Sequence, residues 1–136
     1  MARRTAQRAA IRKVLEEAAR PLSPAEILRE AQALVPRLGL TTVYRTVNSL
    51  VEERWLQPVD LPGEAARYEL SGKPHHHHFH CRKCDAVYDV PGCVRGLETL
   101  VPHGFDAAEH AIVLYGHCPA CAEAPAAETE GLAQHA

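Results

Sequence analysis

The chain's nine histidines and five cysteines could all do chemistry, and every one of them follows Pro74. Cys81-Arg82-Lys83-Cys84 and Cys118-Pro119-Ala120-Cys121 form two C-x-x-C pairs separated by 33 residues. Two such knuckles can close one tetrahedral site, and four thiolates suit zinc, a borderline-soft ion with no geometric preference to violate. A single pair could be a redox couple, but two pairs outside a thioredoxin-like βαβ context point to structural zinc. The intervening stretch is long for a zinc ribbon, so a small subdomain has to fit between the knuckles.

Next to the first knuckle runs His75-His76-His77-His78-Phe79-His80. In an extended strand alternate side chains face opposite ways. His76, His78 and His80 would then share one face, and His75, His77 and Phe79 the other, so one strand could feed two metal sites. Cys93 belongs to neither knuckle. A free cysteine is ordinarily a small buried hydrophobe, but this one stands among histidines and is a candidate ligand. His110 is a further donor. His117 adjoins a knuckle, while His103 and His135 have no evident partner.

Charge divides at the same place as the donors. Residues 1–73 hold 12 basic and 9 acidic side chains, and residues 74–136 hold 3 and 8. The first part suits an anionic partner and the second suits metal. Spread-out cysteines would mark a secreted disulfide scaffold, and these are confined to one half. With 46% hydrophobic and 24% charged residues the composition is that of a globular protein. No apolar run nears the roughly 20 residues of a membrane span, and none of signal-peptide type follows the basic start, so a cytoplasmic location is expected. At 5% aromatics, each half would have a thin core that benefits from a staple.

The elements that must position these donors follow from periodicity. Ile11, Val14, Leu15 and Ala18 predict a helix over 5–19. Ser23-Pro24-Ala25-Glu26 combines an N-cap, a first-position proline and a capping-box glutamate, and opens a second helix ending near Val35-Pro36. Gly39 marks a turn and Thr41 can cap a third helix, in which Val43, Val47, Leu50 and Val51 make a core stripe. Its other side carries Thr42, Tyr44, Arg45 and Asn48, side chains able to reach phosphates, base edges or a thymine methyl. Strands are expected over 55–59 and 65–70 around the turn Leu61–Glu64, with Arg67 carried toward a duplex backbone. Three helices and a hairpin make the winged helix-turn-helix plan, although a small domain of another kind can share it. A basic start with Arg3, Arg4, Arg8, Arg12 and Lys13 adds phosphate affinity through counterion release. Beyond Pro74 the pattern predicts a short strand over 86–90 with Asp89, a short helix over 92–101 containing Cys93, and a strand through Ile112, Val113 and Leu114. The Ala/Glu-rich stretch 122–136 has no core pattern and is expected to be disordered.

Taken together, Thr42-Val43-Tyr44-Arg45, Arg67-Tyr68-Glu69-Leu70, the run His75–Cys84 and Leu114–Cys121 resemble the ferric uptake regulator family over roughly residues 4–122. The resemblance implies an α+β chain with a winged helix-turn-helix DNA-binding domain at 1–73. A small α/β metal-binding dimerisation domain would span 74–122, and a tail 123–136. It implies a metal-loaded homodimer that represses metal-uptake genes at double-stranded operator DNA, with no membrane and no small-molecule substrate as partner. It assigns structural zinc to Cys81, Cys84, Cys118 and Cys121, and a sensory site to Glu69, His76, His78 and Asp89. Many members add a histidine from the loop before the second helix. Pro21 stands there, which leaves completion of the site to Asp89, water or another side chain. A second regulatory site would use His75, His77 and His110. Cys93 falls where a glutamate is common, and His77 where an aspartate often occurs.

Three histidines and a cysteine make a soft set that favours zinc as the regulatory metal. Manganese(II) or iron(II) remains the alternative, because the sensory set offers only nitrogen and oxygen. A peroxide sensor would need iron beside oxidisable histidines, and the absent loop histidine counts against it. A zinc enzyme needs an open coordination position and a general base, and no H-E-x-x-H or H-x-E with P-C-x-x-C occurs. A zinc storage protein would leave Tyr44, Arg45 and the basic start unexplained.

Overall fold

The computed structural model describes residues 2–122. The expected tail disorder and His135 fall outside them. Helix α1 (Ala2–Ala18) buries Ala10, Ile11, Val14 and Leu15. Helix α2 (Pro24–Ala31) opens on the expected capping box: Glu26 N–H donates to the Ser23 hydroxyl, and Ser23 N–H to the Glu26 carboxylate. It stops at Ala31, earlier than Val35, and hydrogen-bonded turns carry the chain on to Leu38. Helix α3 (Leu40–Glu52) buries Val43, Val47 and Leu50. Thr41 does not cap it. The helix begins at Leu40, two residues before the expected start, with Gly39 at the N-cap and no side-chain cap bond, so Thr41 lies inside the first turn.

Strands β1 (Leu56–Val59) and β2 (Arg67–Leu70) pair antiparallel, with Gln57 opposite Glu69. Leu22 adds a bridge to the outer edge of β2 through both backbone bonds with Tyr68. One core of α1, α2, α3 and β1 residues, with Ile11, Ile27, Val43, Val47 and Leu50 fully buried, fixes this winged-helix unit.

The rest is a three-stranded sheet in the order β4-β3-β5, with β3 at His76–Cys81, β4 at Val87–Pro91 and β5 at Val113–Gly116. β3 runs antiparallel to β4 and parallel to β5. Pairing of Cys81 with Gly116 delivers the second knuckle beside the first. A Cβ at Gly116 would stand 3.2 Å from the Phe79 ring, so a larger residue there would require the ring to give way by a few tenths of an ångström. The expected helix around Cys93 is absent: only Leu97–Leu100 is helical, as one 3-10 turn, and Cys93 sits in the irregular stretch after β4. Two glycines with positive φ, Gly92 and Gly96, break the segment. This sheet has little apolar core of its own. A small cluster of Val59, Leu61, Val87 and Val113 joins it to the wing.

Candidate metal centres and nucleic-acid surface

The strand alternation is realised in β3, and three donor clusters assemble as the residues predict. In each of them the candidate ligand atoms lie within 4.8 Å of one another. The first cluster is Cys81, Cys84, Cys118 and Cys121. All four are free thiols, and the Cys84 and Cys118 sulfurs stand 3.7 Å apart. A tetrahedral ion with Zn–S of about 2.3 Å would set its sulfurs about 3.8 Å apart, so these residues fit zinc. Backbone N–H groups of Cys84 and Cys118 donate to the Cys81 sulfur and hold that thiol down to about 5, against burial. Cys121 is pushed up to about 12 by its hydrogen bond with Cys118 and by burial. Four crowded sulfurs that cannot all ionise without a cation are what a zinc ion would neutralise.

The second cluster spans the wing and the sheet. Glu69 projects from β2 and is 2% exposed. His76 Nε2 lies 3.1 Å and His78 Nε2 3.2 Å from its carboxylate. Asp89 faces His78 directly across the β3–β4 ladder. Its Oδ1 is buried without a hydrogen-bond partner, 3.7 Å from both histidine Nε2 atoms. An orphaned buried carboxylate oxygen aimed at two imidazoles is costly unless a cation joins them. Outer atoms orient the set. Gln57 Nε2 donates to Glu69 Oε2 at 2.7 Å, Lys73 Nζ donates to Asp89 Oδ2 at 2.5 Å, and His76 Nδ1 bonds the Pro74 carbonyl at 2.8 Å. That last bond places a proton on Nδ1 and turns Nε2 inward. Burial raises the Glu69 carboxyl, but hydrogen bonds from His78 and Gln57 and the charges of Lys73 and His76 outweigh it and hold the group down to about 2. For His76 burial acts downward, and the Pro74 carbonyl, Glu69 and Asp89 together raise it above its ordinary value.

The third cluster is His75, His77, Cys93 and His110. Cys93 Sγ is 3.0 Å from His110 Nε2 and 3.2 Å from His77 Nε2, and His75 Nε2 is 3.2 Å from His110 Nε2. Ile112 N–H donates to His77 Nδ1, which sets the proton of the neutral ring on Nε2, facing the sulfur. A metal there would take the place of that proton, and Nδ1 would have to release the amide.

Glu64, His80 and Asp85 form a fourth group that the sequence reading missed. His80 Nε2 meets Asp85 Oδ1 at 2.6 Å, and Nδ1 meets Glu64 Oε2 at 3.3 Å. The two acids sit on opposite ring nitrogens, and Arg67 already pairs with both, at 3.0 Å to Asp85 and 3.4 Å to Glu64. Their donor atoms also lie within 4.8 Å of one another, but with both acids committed to Arg67 the group is an ion-pair junction between wing and sheet.

That junction overturns one expectation. Arg67 does not face a duplex. Its side chain is 4% exposed, and it also contacts Glu26 and donates to the Asp85 carbonyl at 2.7 Å. The acids around it, invisible in the local pattern, draw it inward. The other candidate DNA contacts lie outward: Arg3, Arg4, Tyr44, Arg45 and Asn48 are exposed, and Thr42 is half-buried. Arg37 was also missed, and lines a groove with Arg3 and Gln7. Pro21 is buried, and its neighbour Arg20 reaches the Val87 carbonyl at 3.4 Å and Glu26 at 3.2 Å. His103 and His117 join none of the four groups.

The model of the ferric uptake regulator family matches residues 1–115. The chain belongs to that family of metal-responsive transcriptional regulators. It is 31% identical to a ferric uptake regulation protein of Campylobacter jejuni, over 86% of this chain and 78% of that one. It is 32% identical to a zinc uptake regulation protein of Mycobacterium tuberculosis, over 88% of this chain and 94% of the other. A solved zinc-bound manganese uptake regulator superposes with a TM-score of 0.69 at 26% identity, over 82% and 87% of the two chains. These relatives carry three metals in their names, so the metal of this chain has to be argued from its own donors. No helix among the described residues is long and apolar enough to cross a membrane.

Proposed function

We propose that the chain is a zinc-responsive repressor of metal-uptake genes that binds operator DNA as a metal-loaded homodimer. Residues 1–73 form the DNA-binding part and residues 74–122 the metal-binding, dimerising part. The carrying observation is that Glu69 comes from the wing while His76, His78 and Asp89 come from the sheet, yet their donor atoms converge.

Cys81, Cys84, Cys118 and Cys121 hold structural zinc and staple a sheet with little core of its own. A divalent ion at the second cluster supplies a charge that Glu69, His76, His78 and Asp89 can share. Glu69 then holds the wing against β3 and β4, which favours one angle between the two parts. In that form Tyr44, Arg45 and Asn48 of α3 enter the major groove, and Arg3 and Arg4 contact phosphate. The exposed apolar side chains Val94, Leu100, Phe105, Leu114 and Tyr115 are the surface a second copy would cover.

Zinc is preferred because His75, His77, Cys93 and His110 include a sulfur, which iron(II) and manganese(II) sites ordinarily lack. The second reading, a manganese or iron regulator, is favoured by the all nitrogen-and-oxygen second cluster. Fluorescence anisotropy decides between them, using a duplex selected by the protein from a randomised pool. Zinc at buffered free concentrations should tighten binding, and chelator should weaken it to a residual level. Affinity that ignores metal refutes the reading, and a response to manganese or iron(II) alone transfers it to the second.

A further inference from the structure

The second cluster contains a lysine that a metal site does not require. Lys73 lies in the turn between β2 and β3, where Gly72 takes a φ of +84°. Its side chain is 20% exposed, and its ammonium lies 2.5 Å from Asp89 Oδ2 and 3.3 Å from Glu69 Oε1. The two oxygens of Asp89 are thus treated differently. Oδ2 is taken by Lys73, whereas Oδ1 is unpartnered and faces His76 and His78. Glu69 shows no such split: Gln57 donates to its Oε2, which His76 also approaches, and its Oε1 meets Lys73, His76 and His78.

We propose that Lys73 is a specificity-determining residue of this site: by occupying the outer oxygen of Asp89 it keeps that carboxylate monodentate and holds the site to four ligands. The proposal rests on reading Glu69, His76, His78 and Asp89 as the regulatory site. Tetrahedral coordination by two imidazoles and two single carboxylate oxygens suits zinc. Manganese(II) prefers more oxygens in a larger shell. It would gain from a bidentate Asp89, and that mode requires the ammonium to leave. Lys73 also adds a positive charge that weakens every divalent ion. Its denticity effect is different in kind, because it falls on the high-coordination ion alone. Lysine suits the role because a compact ammonium can saturate one oxygen without bridging both, as a guanidinium fork would.

The test measures zinc and manganese affinities by competition with a fluorescent chelator. It uses the full chain with its cysteine site loaded, as wild type, Lys73→Met and Lys73→Gln. Both affinities should rise in the variants, with manganese gaining at least tenfold more than zinc. The bound manganese signal in electron paramagnetic resonance should shift toward a higher-coordination form. An unchanged zinc-to-manganese ratio overturns the proposal, as does a loss of affinity for both ions. His76→Ala/His78→Ala is the control for the underlying reading. If it removes no binding equivalent from wild type, the site assignment fails. If it removes one while the ratio stays fixed in the lysine variants, only the role of Lys73 fails.

Discussion

Replacing Arg67 by Met separates two roles that the amino-acid pattern allows, phosphate contact and structural junction. The guanidinium is 4% exposed and is shared among Glu26, Glu64 and Asp85. Removing one partner of a buried pair costs about 3–5 kcal/mol when the orphaned charge stays buried. Here that cost is reduced: the Asp85 and Glu64 side chains are 72% and 37% exposed and can hydrate, and Glu26 keeps Arg20 at 3.2 Å. We therefore expect a loss of about 2 kcal/mol, and a fall in melting temperature of about 8 °C at about 4 °C per kcal/mol. Urea unfolding of the zinc-loaded protein, followed by the fluorescence of its single tryptophan, Trp55, reads the first quantity. The salt dependence of DNA binding reads the second role. A lost phosphate contact lowers the slope of log K against log salt by about 0.9 per site, and a buried Arg67 predicts no such change. Wild-type stability combined with a reduced slope would refute the reasoning.

Other perturbations separate the clusters. His76→Ala/His78→Ala should abolish metal dependence of DNA binding while atomic absorption still finds the cysteine-bound zinc and circular dichroism a folded chain. Cys93→Ser should weaken zinc at the third cluster by at least about tenfold, and manganese less, because a hydroxyl is a harder and poorer donor; competitive chelation measures both. Stripping the cysteine site with a strong chelator should melt the β4-β3-β5 sheet and leave the winged-helix unit folded, which amide hydrogen exchange resolves. For the apo chain the sign of one pH effect is fixed. Glu69 falls from an ordinary 4.5 to about 2 in the fold, so its stabilisation is complete above about 4.5 and is lost as pH drops toward 2. Glu69→Gln should flatten the acid limb of the stability profile over that range.

Periodicity and capping made most of the fold legible. The capping box at Ser23–Glu26 and the stripe Val43, Val47, Leu50 are local patterns, and local patterns survive in tertiary structure. The alternation of histidines in β3 was legible for the same reason, since the pleat leaves each side chain only one face. Three features were not local and were misjudged or missed. Arg67 was drawn inward by Glu26, 41 residues away, and by Asp85, 18 residues away. Lys73 gained its place from the pairing of β3 with β4, which sets Asp89 opposite His78. Gln57 stands opposite Glu69 through a β1–β2 register that the predicted strands and turn left open. The stretch Gly92–Val101 lacks the expected helix because Gly92 and Gly96 take positive φ, a backbone choice that the sequence alone does not reveal.

In the proposed reading one exchangeable ion controls the angle between the two parts, and the contacts between wing and sheet bear on how much that ion must contribute. Arg67 links β2 to Asp85 beside the first knuckle, and Arg20 links the loop before α2 to β4. Both use guanidiniums, which stay charged and keep their geometry, and Val59, Leu61, Val87 and Val113 add a small apolar contact. On the proposed reading, these links favour, without metal, the same angle between the two parts that the ion would favour. Carrying a two-state equilibrium from 1:99 to 99:1 takes about 5.5 kcal/mol of differential binding, and a chain already biased needs less from its effector. The apo chain should therefore keep measurable operator affinity, and Arg20→Ala should lower that residual affinity while enlarging the factor by which metal restores it. If the two arginines merely stabilise each part separately, residual affinity and metal response will both be unchanged in that variant.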